Sequence, residues 1–282
     1  MSLFLHNFTV LDFAYLSREE GLLGDSYYVS AELEGELDEK GFIFDFGPAK
    51  KALKQVVDEA LDHRLAVPAL DPTLRGTADG FEFGGLSYQA PAEAIAMLEG
   101  EEITLPLIEG FLAAEAMNLM PANVTSVKIT LVPESRFETQ ANFRYTHGLR
   151  LHNGNCQRLL HGHRNPIEVW VDGRRSPEWE SFLGKEWEGA HFTYAPTLKN
   201  HGDLDLPLGR RSRRPGTAWV EYSSPQGFFR AGIPAEKIVL LDTEPSIENI
   251  ARISAERLKS EGVKNARVVA YEGLNKGASF SY

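Results

Sequence analysis

Apolar and polar residues alternate along much of this chain in short runs, and in three places the spacing changes to that of a helix. Tyr27 to Leu33 and Ile167 to Val171 are rich in β-branched and aromatic residues and end at turn chemistry, Glu34-Gly35-Glu36 and Asp172-Gly173. Both read as hairpin strands. After Phe42-Ile43-Phe44-Asp45-Phe46, the pair Gly47-Pro48 predicts a strand-to-helix junction, because proline is tolerated in a first helical turn. Leu53, Val56, Val57, Ala60 and Leu61 then make an apolar stripe of helical period, so this helix is amphipathic. Two later helices also start at proline, Pro106 to Met120 and Pro245 to Glu261, and each leads into a terminal strand, Val127 to Glu134 and Ala266 to Glu272.

The pattern occurs twice. Leu22 to Gly35 and Leu160 to Gly173 match at an offset of 138, glycine pair on glycine pair. Arg75 to Ala78 returns as Pro215 to Ala218, Pro91 to Ile95 as Pro234 to Ile238, Pro106 to Glu109 as Pro245 to Glu248, and the terminal strand as the terminal strand, all in order at offsets of 138 to 143. Such self-similarity predicts a tandem duplication. Helices laid on one face of an antiparallel sheet form an α+β layer, here expected as two units over residues 1–138 and 139–282 with the junction near Glu134 to Gln140.

Composition narrows the function. With 282 residues, 43% hydrophobic and 24% charged, the chain can build a real core. Its 29 basic and 40 acidic residues give a net charge of −11, which repels a polyphosphate backbone and argues against a nucleic-acid partner. Cys156 is the sole cysteine, so no internal disulfide forms. Met1 to Leu11 has no basic and apolar leader, and no run approaches the roughly 18 apolar residues that span a bilayer. The expectation is a soluble cytoplasmic protein with no membrane contact.

Candidate chemistry concentrates in the second half. His161-Gly162-His163 opens a strand, so its two imidazoles point the same way and can share a metal; His147, expected on the paired strand, supplies a third. Three neutral imidazoles with an open fourth position describe a catalytic Zn2+ centre, although two surface histidines would show the same HxH spacing. Cys156 falls in the polar loop between them, where a nearby cation would favour its thiolate and suit it to remove a proton; a small buried filler is the plainer reading. Asp62-His63 ends the first amphipathic helix, as a solvated ion pair or as an Asp-oriented proton relay. Glu134 and Glu272 close the two terminal strands and could each accept paired N–H donors from a heterocycle such as a pterin. The Arg210 to Arg214 run reads as a solvated loop or a phosphate contact. His6, His152 and His191 read as ordinary polar residues.

Together these pieces resemble the 6-pyruvoyltetrahydropterin and 6-carboxytetrahydropterin synthase family. The resemblance is carried by Phe143 to His147, Cys156 with His161-Gly162-His163, Phe44-Asp45-Phe46-Gly47, Leu61-Asp62-His63, Pro245 to Asn249 and Glu272. It implies two tandem T-fold units that oligomerise into a barrel, with zinc on His147, His161 and His163, Cys156 as base, Asp62-His63 as the second proton-transfer group, and Glu272 or Glu134 as pterin anchor. The implied substrate is 7,8-dihydroneopterin triphosphate. The implied product is 6-carboxy-5,6,7,8-tetrahydropterin, with loss of triphosphate and acetaldehyde as in the queuosine branch. A 6-pyruvoyl product, another side-chain cleavage, or a metal-containing pterin or purine binder without turnover are the alternatives.

The departures from the family pattern are informative. Reading by motif and fixed offset, the first half carries Asp12, Leu23 and Asp25 where the metal ligands belong, and the second half carries Asn200-His201 where Asp62-His63 belongs. Each copy is deficient where the other is intact. In the family, zinc and cysteine come from one subunit and the Asp-His pair from its neighbour. One composite site is therefore expected, with the relay reaching the cage from the other half or from another chain of a homo-oligomer.

Overall fold

A computed structural model describes all 282 residues, Met1 to Tyr282. The first unit opens with a long antiparallel hairpin, β1 (Ser2–Ser17) and β2 (Gly21–Gly35), followed by α1 (Phe46–Ala60) and β3 (Leu65–Pro68). The short strands β4 (Arg75–Gly76), β5 (Phe81–Phe83) and β6 (Leu86–Gln89) come next, then β7 (Ile95–Leu98), α2 (Leu105–Met117) and β8 (Val124–Pro133). The second unit runs β9 (Asn142–His147), β10 (His161–Val171), β11 (Arg174–Arg175), α3 (Pro177–Trp187), β12 (Ala190–Tyr194) and α4 (His201–Leu204). It ends with β13 (Thr217–Ser224), β14 (Gly227–Pro234), β15 (Ile238–Leu241), α5 (Ile247–Ser260), β16 (Ala266–Tyr271) and β17 (Gly277–Ser281).

The main sheets have strand orders β7-β3-β1-β2-β8 and β15-β12-β9-β10-β16, the second extended by β17. The identical order in both halves establishes the tandem duplication. Each sheet is antiparallel through its hairpin and last strand but parallel across its other two neighbours, so the sheets are mixed. Two helices cover each: Leu53, Val57, Ile108 and Leu112 pack on Leu11, Phe13 and Val29, while Leu183, Ile250 and Leu258 pack on Phe143, Ile167 and Val169.

The expected strand over Phe42 to Phe46 does not form. The Asp38 carboxylate accepts from the N–H groups of Lys40 and Phe42, and the Asn123 amide donates to the carbonyls of Glu36 and Ile43, so side chains replace a ladder. Asp45 then caps α1 by accepting from the Gly47 N–H at 3.0 Å.

The sequence pattern did not disclose how the halves join. A third sheet, β13-β14-β6-β5-β4, takes strands from both, with β6 pairing β14. Beneath it lies a core of 24 buried residues drawn from both units, among them Leu16, Val67, Phe83, Leu160, Phe229 and Ile238, so the halves share one interior. The two hairpins also touch directly. A Cβ at Gly24 would lie 2.2 Å from the Tyr145 carbonyl oxygen and 2.4 Å from the His163 nitrogen, and one at Gly162 would lie 2.6 Å from the Gly24 Cα. Only glycine permits that crossing, because the obstructing atoms are backbone. Gly24→Ala is expected to destabilise the protein by about 1–3 kcal/mol in urea unfolding and to lower metal content by displacing β10; wild-type behaviour in both would contradict the close crossing.

No helix is long and apolar enough to cross a membrane.

Candidate active site

Register places the imidazoles. In the β9/β10 pair His147 stands opposite His161 and Tyr145 opposite His163, and alternation brings His161 and His163 to one side. All three histidines are fully buried, with a ligand atom from each within 4.8 Å of the others. The Nδ1–H groups of His147 and His161 donate to the carbonyls of Pro245 (2.7 Å) and Arg158 (2.8 Å), leaving each Nε2 with a lone pair. Those Nε2 atoms and His163 Nε2 have no hydrogen-bond partner, and His163 Nδ1 makes no aligned hydrogen bond but lies 3.3 Å from an Asp12 carboxylate oxygen. Burial pushes His147 down to about 3 and His161 well below its ordinary range, so both are neutral near pH 7. Buried, converging imidazole nitrogens without hydrogen-bond partners are costly in a dry core and are the donor set zinc prefers. These residues fit a zinc ion and leave a fourth coordination position open.

The first unit delivers Asp62 and His63 to this cage within the same chain. The His63 ring centroid lies 5.1 Å from that of His161 and 6.0 Å from that of His163. Two backbone features fix it: the His63 N–H donates to the Asp12 carbonyl at 2.7 Å, and its φ of 56° lies in the left-handed region, a strained state for a non-glycine residue. One Asp62 carboxylate oxygen accepts from the Asp12 N–H at 3.0 Å, and the other is 2.6 Å from His63 Nδ1. Cys156 and His161 complete a second cluster with His63, ligand atoms again within 4.8 Å. Burial disfavours the imidazolium of His63, but hydrogen bonds to Asp62 and Cys156 outweigh it and hold its pKa well above the usual value. A carboxylate, an imidazole and a thiol thus form one chain of proton-exchanging groups beside the cage.

The turn carrying Cys156 is gripped by the β13–β14 hairpin. The Tyr222 hydroxyl donates to the Gln157 carbonyl at 2.7 Å, and the Gln226 amide donates to Asn155 Oδ1 at 2.9 Å. Arg158 reaches back to the first unit, its Nη1 donating to the Asp62 carbonyl at 3.2 Å.

The two candidate anchors differ. Glu272 lies with a carboxylate oxygen 4.0 Å from His147 Nε2 and accepts no protein hydrogen bond. Burial raises its pKa, but His163, His147 and Lys276 outweigh that and hold it below the ordinary range, so it is a carboxylate. Glu134 caps the following turn and binds Arg136 Nη2 at 3.0 Å, so its carboxylate is already occupied. Lys276, Tyr222, Gln226 and Arg158 were not singled out by sequence, and buried Asp12 was noted only as standing in for a lost ligand; Arg158 and Lys276 follow Cys156 and Glu272 closely, whereas Tyr222 and Gln226 stand far from any motif.

Strand register corrects two repeat assignments. Leu23 and Asp25 are the counterparts of His161 and His163, but the residue opposite Leu23 is Tyr15, which therefore replaces Asp12 as the counterpart of His147. The β9–β10 connection is longer than the β1–β2 turn, so a fixed offset fails there. The counterpart of Asp62-His63 is likewise Glu188-Gly189 and not Asn200-His201. Glu188 accepts from the Arg144 N–H at 2.9 Å as Asp62 does from Asp12, the Gly189 N–H donates to the Arg144 carbonyl as His63 does to Asp12, and Gly189 shares the positive φ, at 66°. The second unit keeps the carboxylate and lacks the imidazole.

The abandoned counterpart site is closed by ion pairs. Arg144 bridges Glu20 (2.6 Å) and Glu188 (2.5 Å), and Lys237 Nζ donates to the carbonyls of Glu20 and Leu22. Arg211 donates to the carbonyls of Glu188 and Glu236 and so serves structure, while Arg214 makes an exposed pair with Asp205 at 3.3 Å. His191 is buried with its Nδ1 2.9 Å from the Thr146 hydroxyl, a core position that its sequence context concealed.

Duplicated sheets, each with a paired helix layer, and an imidazole cage at their meeting point define a tandem T-fold protein. Residues 9–127 match the family model described as 6-pyruvoyl tetrahydropterin synthase. The match contains Asp62 and His63, whereas the cage lies beyond it. A curated protein of Pyrococcus horikoshii, named "Putative 6-carboxy-5,6,7,8-tetrahydropterin synthase", is 26% identical over 133 residues, covering 47% of this chain and 82% of that protein. Solved structures similar to this chain include 6-pyruvoyl tetrahydropterin synthase from Plasmodium vivax (16% identity, 48% of this chain and 92% of that one, TM-score 0.39) and from Plasmodium falciparum (17%, 46% and 90%, 0.38).

Proposed function

We propose that the protein is a Zn2+-dependent lyase that converts 7,8-dihydroneopterin triphosphate and one water into 6-carboxy-5,6,7,8-tetrahydropterin, releasing triphosphate and acetaldehyde in a queuosine-type pathway. The observation that carries this reading is the meeting of the His147, His161 and His163 cage with the Cys156, His63 and Asp62 chain through their shared member, His161. When bound, zinc supplies Lewis acidity toward the side-chain hydroxyls of the substrate. Cys156 takes a proton from the side chain, and His63 exchanges it through the contact already present between them. Asp62 orients the His63 ring and favours its charged form. Glu272 is the anchor, since its carboxylate is ionised, unpartnered and beside the cage, able to accept two N–H bonds from the pterin ring. The name of the Pyrococcus relative supports the carboxy product. A thiol that must stay reduced suits the cytoplasm, and the outer edge of β8, which has no neighbouring strand, suits a homo-oligomer.

The test is metal content measured on the purified protein, together with mass-spectrometric identification of the pterin formed from dihydroneopterin triphosphate. About one zinc per chain and a 6-carboxy product are expected. A pyruvoyl product would overturn the product assignment, and a metal-loaded protein without turnover would reduce it to a pterin binder.

A further inference from the structure

Asp12 belongs to the first unit and is buried, yet its surroundings belong largely to the site of the second. Its Oδ1 lies 3.3 Å from His163 Nδ1, its Oδ2 lies 3.7 Å from Lys276 Nζ, and the Ser26 hydroxyl donates to Oδ1 at 2.5 Å. The backbone at Gly273 abuts the carboxylate so closely that a Cβ there would come within 2.2 Å of Oδ1. The main chain of Asp12 meanwhile holds the relay, its N–H on Asp62 and its carbonyl on the His63 N–H. One residue therefore touches a cage histidine, the relay pair and the turn between Glu272 and Lys276.

We propose that Asp12 is a positioning residue of the metal centre, contributed across the unit boundary, whose carboxylate fixes the tautomer and ring orientation of His163. With its Nδ1 edge facing the carboxylate, His163 keeps Nε2 as the atom left for an ion, and a carboxylate behind an imidazole raises its basicity as a ligand. The duplication supplies an internal comparison. The same position in the other unit is Arg144, which faces no imidazole and binds Glu20 and Glu188. The carboxylate stands in the copy that meets the cage, and the cation in the copy that does not.

This inference rests on the metal reading above, and the two are separable by experiment. Zinc affinity is measured by chelator competition on the full chain, wild type against Asp12→Asn, and the visible absorption of each protein is recorded after loading with Co2+. Wild type is expected to bind about one ion, and Asp12→Asn to bind 10–100-fold more weakly, with a displaced cobalt band. Asp12→Asn leaves Lys276 short of a partner; should it not fold, Asp12→Asn combined with Lys276→Met removes both charges and carries the same comparison. Wild-type affinity in the variant, or weaker affinity with an unchanged cobalt spectrum, overturns the positioning role alone. Failure of wild type to bind either ion overturns both readings.

Discussion

Chains bearing Cys156→Ala and chains bearing His63→Ala are each expected to lose about 10³-fold in kcat, and co-expressing the two is expected to recover nothing. The reasoning is geometric. Cys156 lies on the β9–β10 connection and His63 follows α1, so the thiol and the imidazole come from different units of one chain. Arg158, two residues beyond Cys156, donates to the carbonyls of Asp62 and His63 and ties the thiol-bearing turn to the relay. A mixed oligomer then contains two kinds of damaged site and no intact one. If the relay instead served the cage of a neighbouring chain, mixed assemblies would pair an intact Cys156 with an intact His63 and regain a measurable fraction of activity. Such recovery, read as kcat of the co-expressed protein against either variant alone, would contradict the single-chain site. Zinc content should stay at the wild-type level in both variants, since neither removes a cage ligand.

The elements legible in the sequence are those that local chemistry punctuates. Pro91 and Pro234 precede matching single turns and strands, Pro106 starts a helix and Pro245 lies just before one, and the glycine pairs Gly24/Gly35 and Gly162/Gly173 mark matching hairpin strands. The cage was legible too, because residues paired across a hairpin are fixed by its register. What failed was correspondence at a distance. The loop that carries Cys156 lengthens one hairpin, so the offset that holds after it misassigned Asp12, and the segment from hairpin to helix end is shorter in the second unit, Gly173 to Glu188 against Gly35 to Asp62, so Asn200-His201 took the place of Glu188-Gly189. The hydrogen bonds to Asp12 and Arg144 identify that correspondence, and no offset encodes them. The union of the halves was hidden for a related reason. Strands β5, β6, β13 and β14 are ordinary alternating segments, and their alternation does not reveal that β6 and β14 pair with each other.

His161→Ala should have the widest effect of any single substitution, because His161 is the one residue common to both clusters. Its loss leaves His147 and His163 as a two-ligand site, so zinc affinity should fall by more than the 10–100-fold typical of losing an outer-shell partner, and turnover should fall to background. Stability distinguishes this from simple unfolding. In the metal-free protein the cage holds unpartnered buried nitrogens, each carrying a cost of about 1–3 kcal/mol. Removing one imidazole relieves part of that cost while opening a cavity that costs a comparable amount. The metal-free forms of wild type and variant should therefore unfold at similar denaturant concentrations. Zinc at 100 times its wild-type dissociation constant should then stabilise wild type by about 2.7 kcal/mol and His161→Ala by less than about 0.4 kcal/mol once its affinity has fallen more than 100-fold. Equal stabilisation of both proteins would place the ion elsewhere, and no stabilisation of wild type would mean that the three imidazoles pack together without holding a metal.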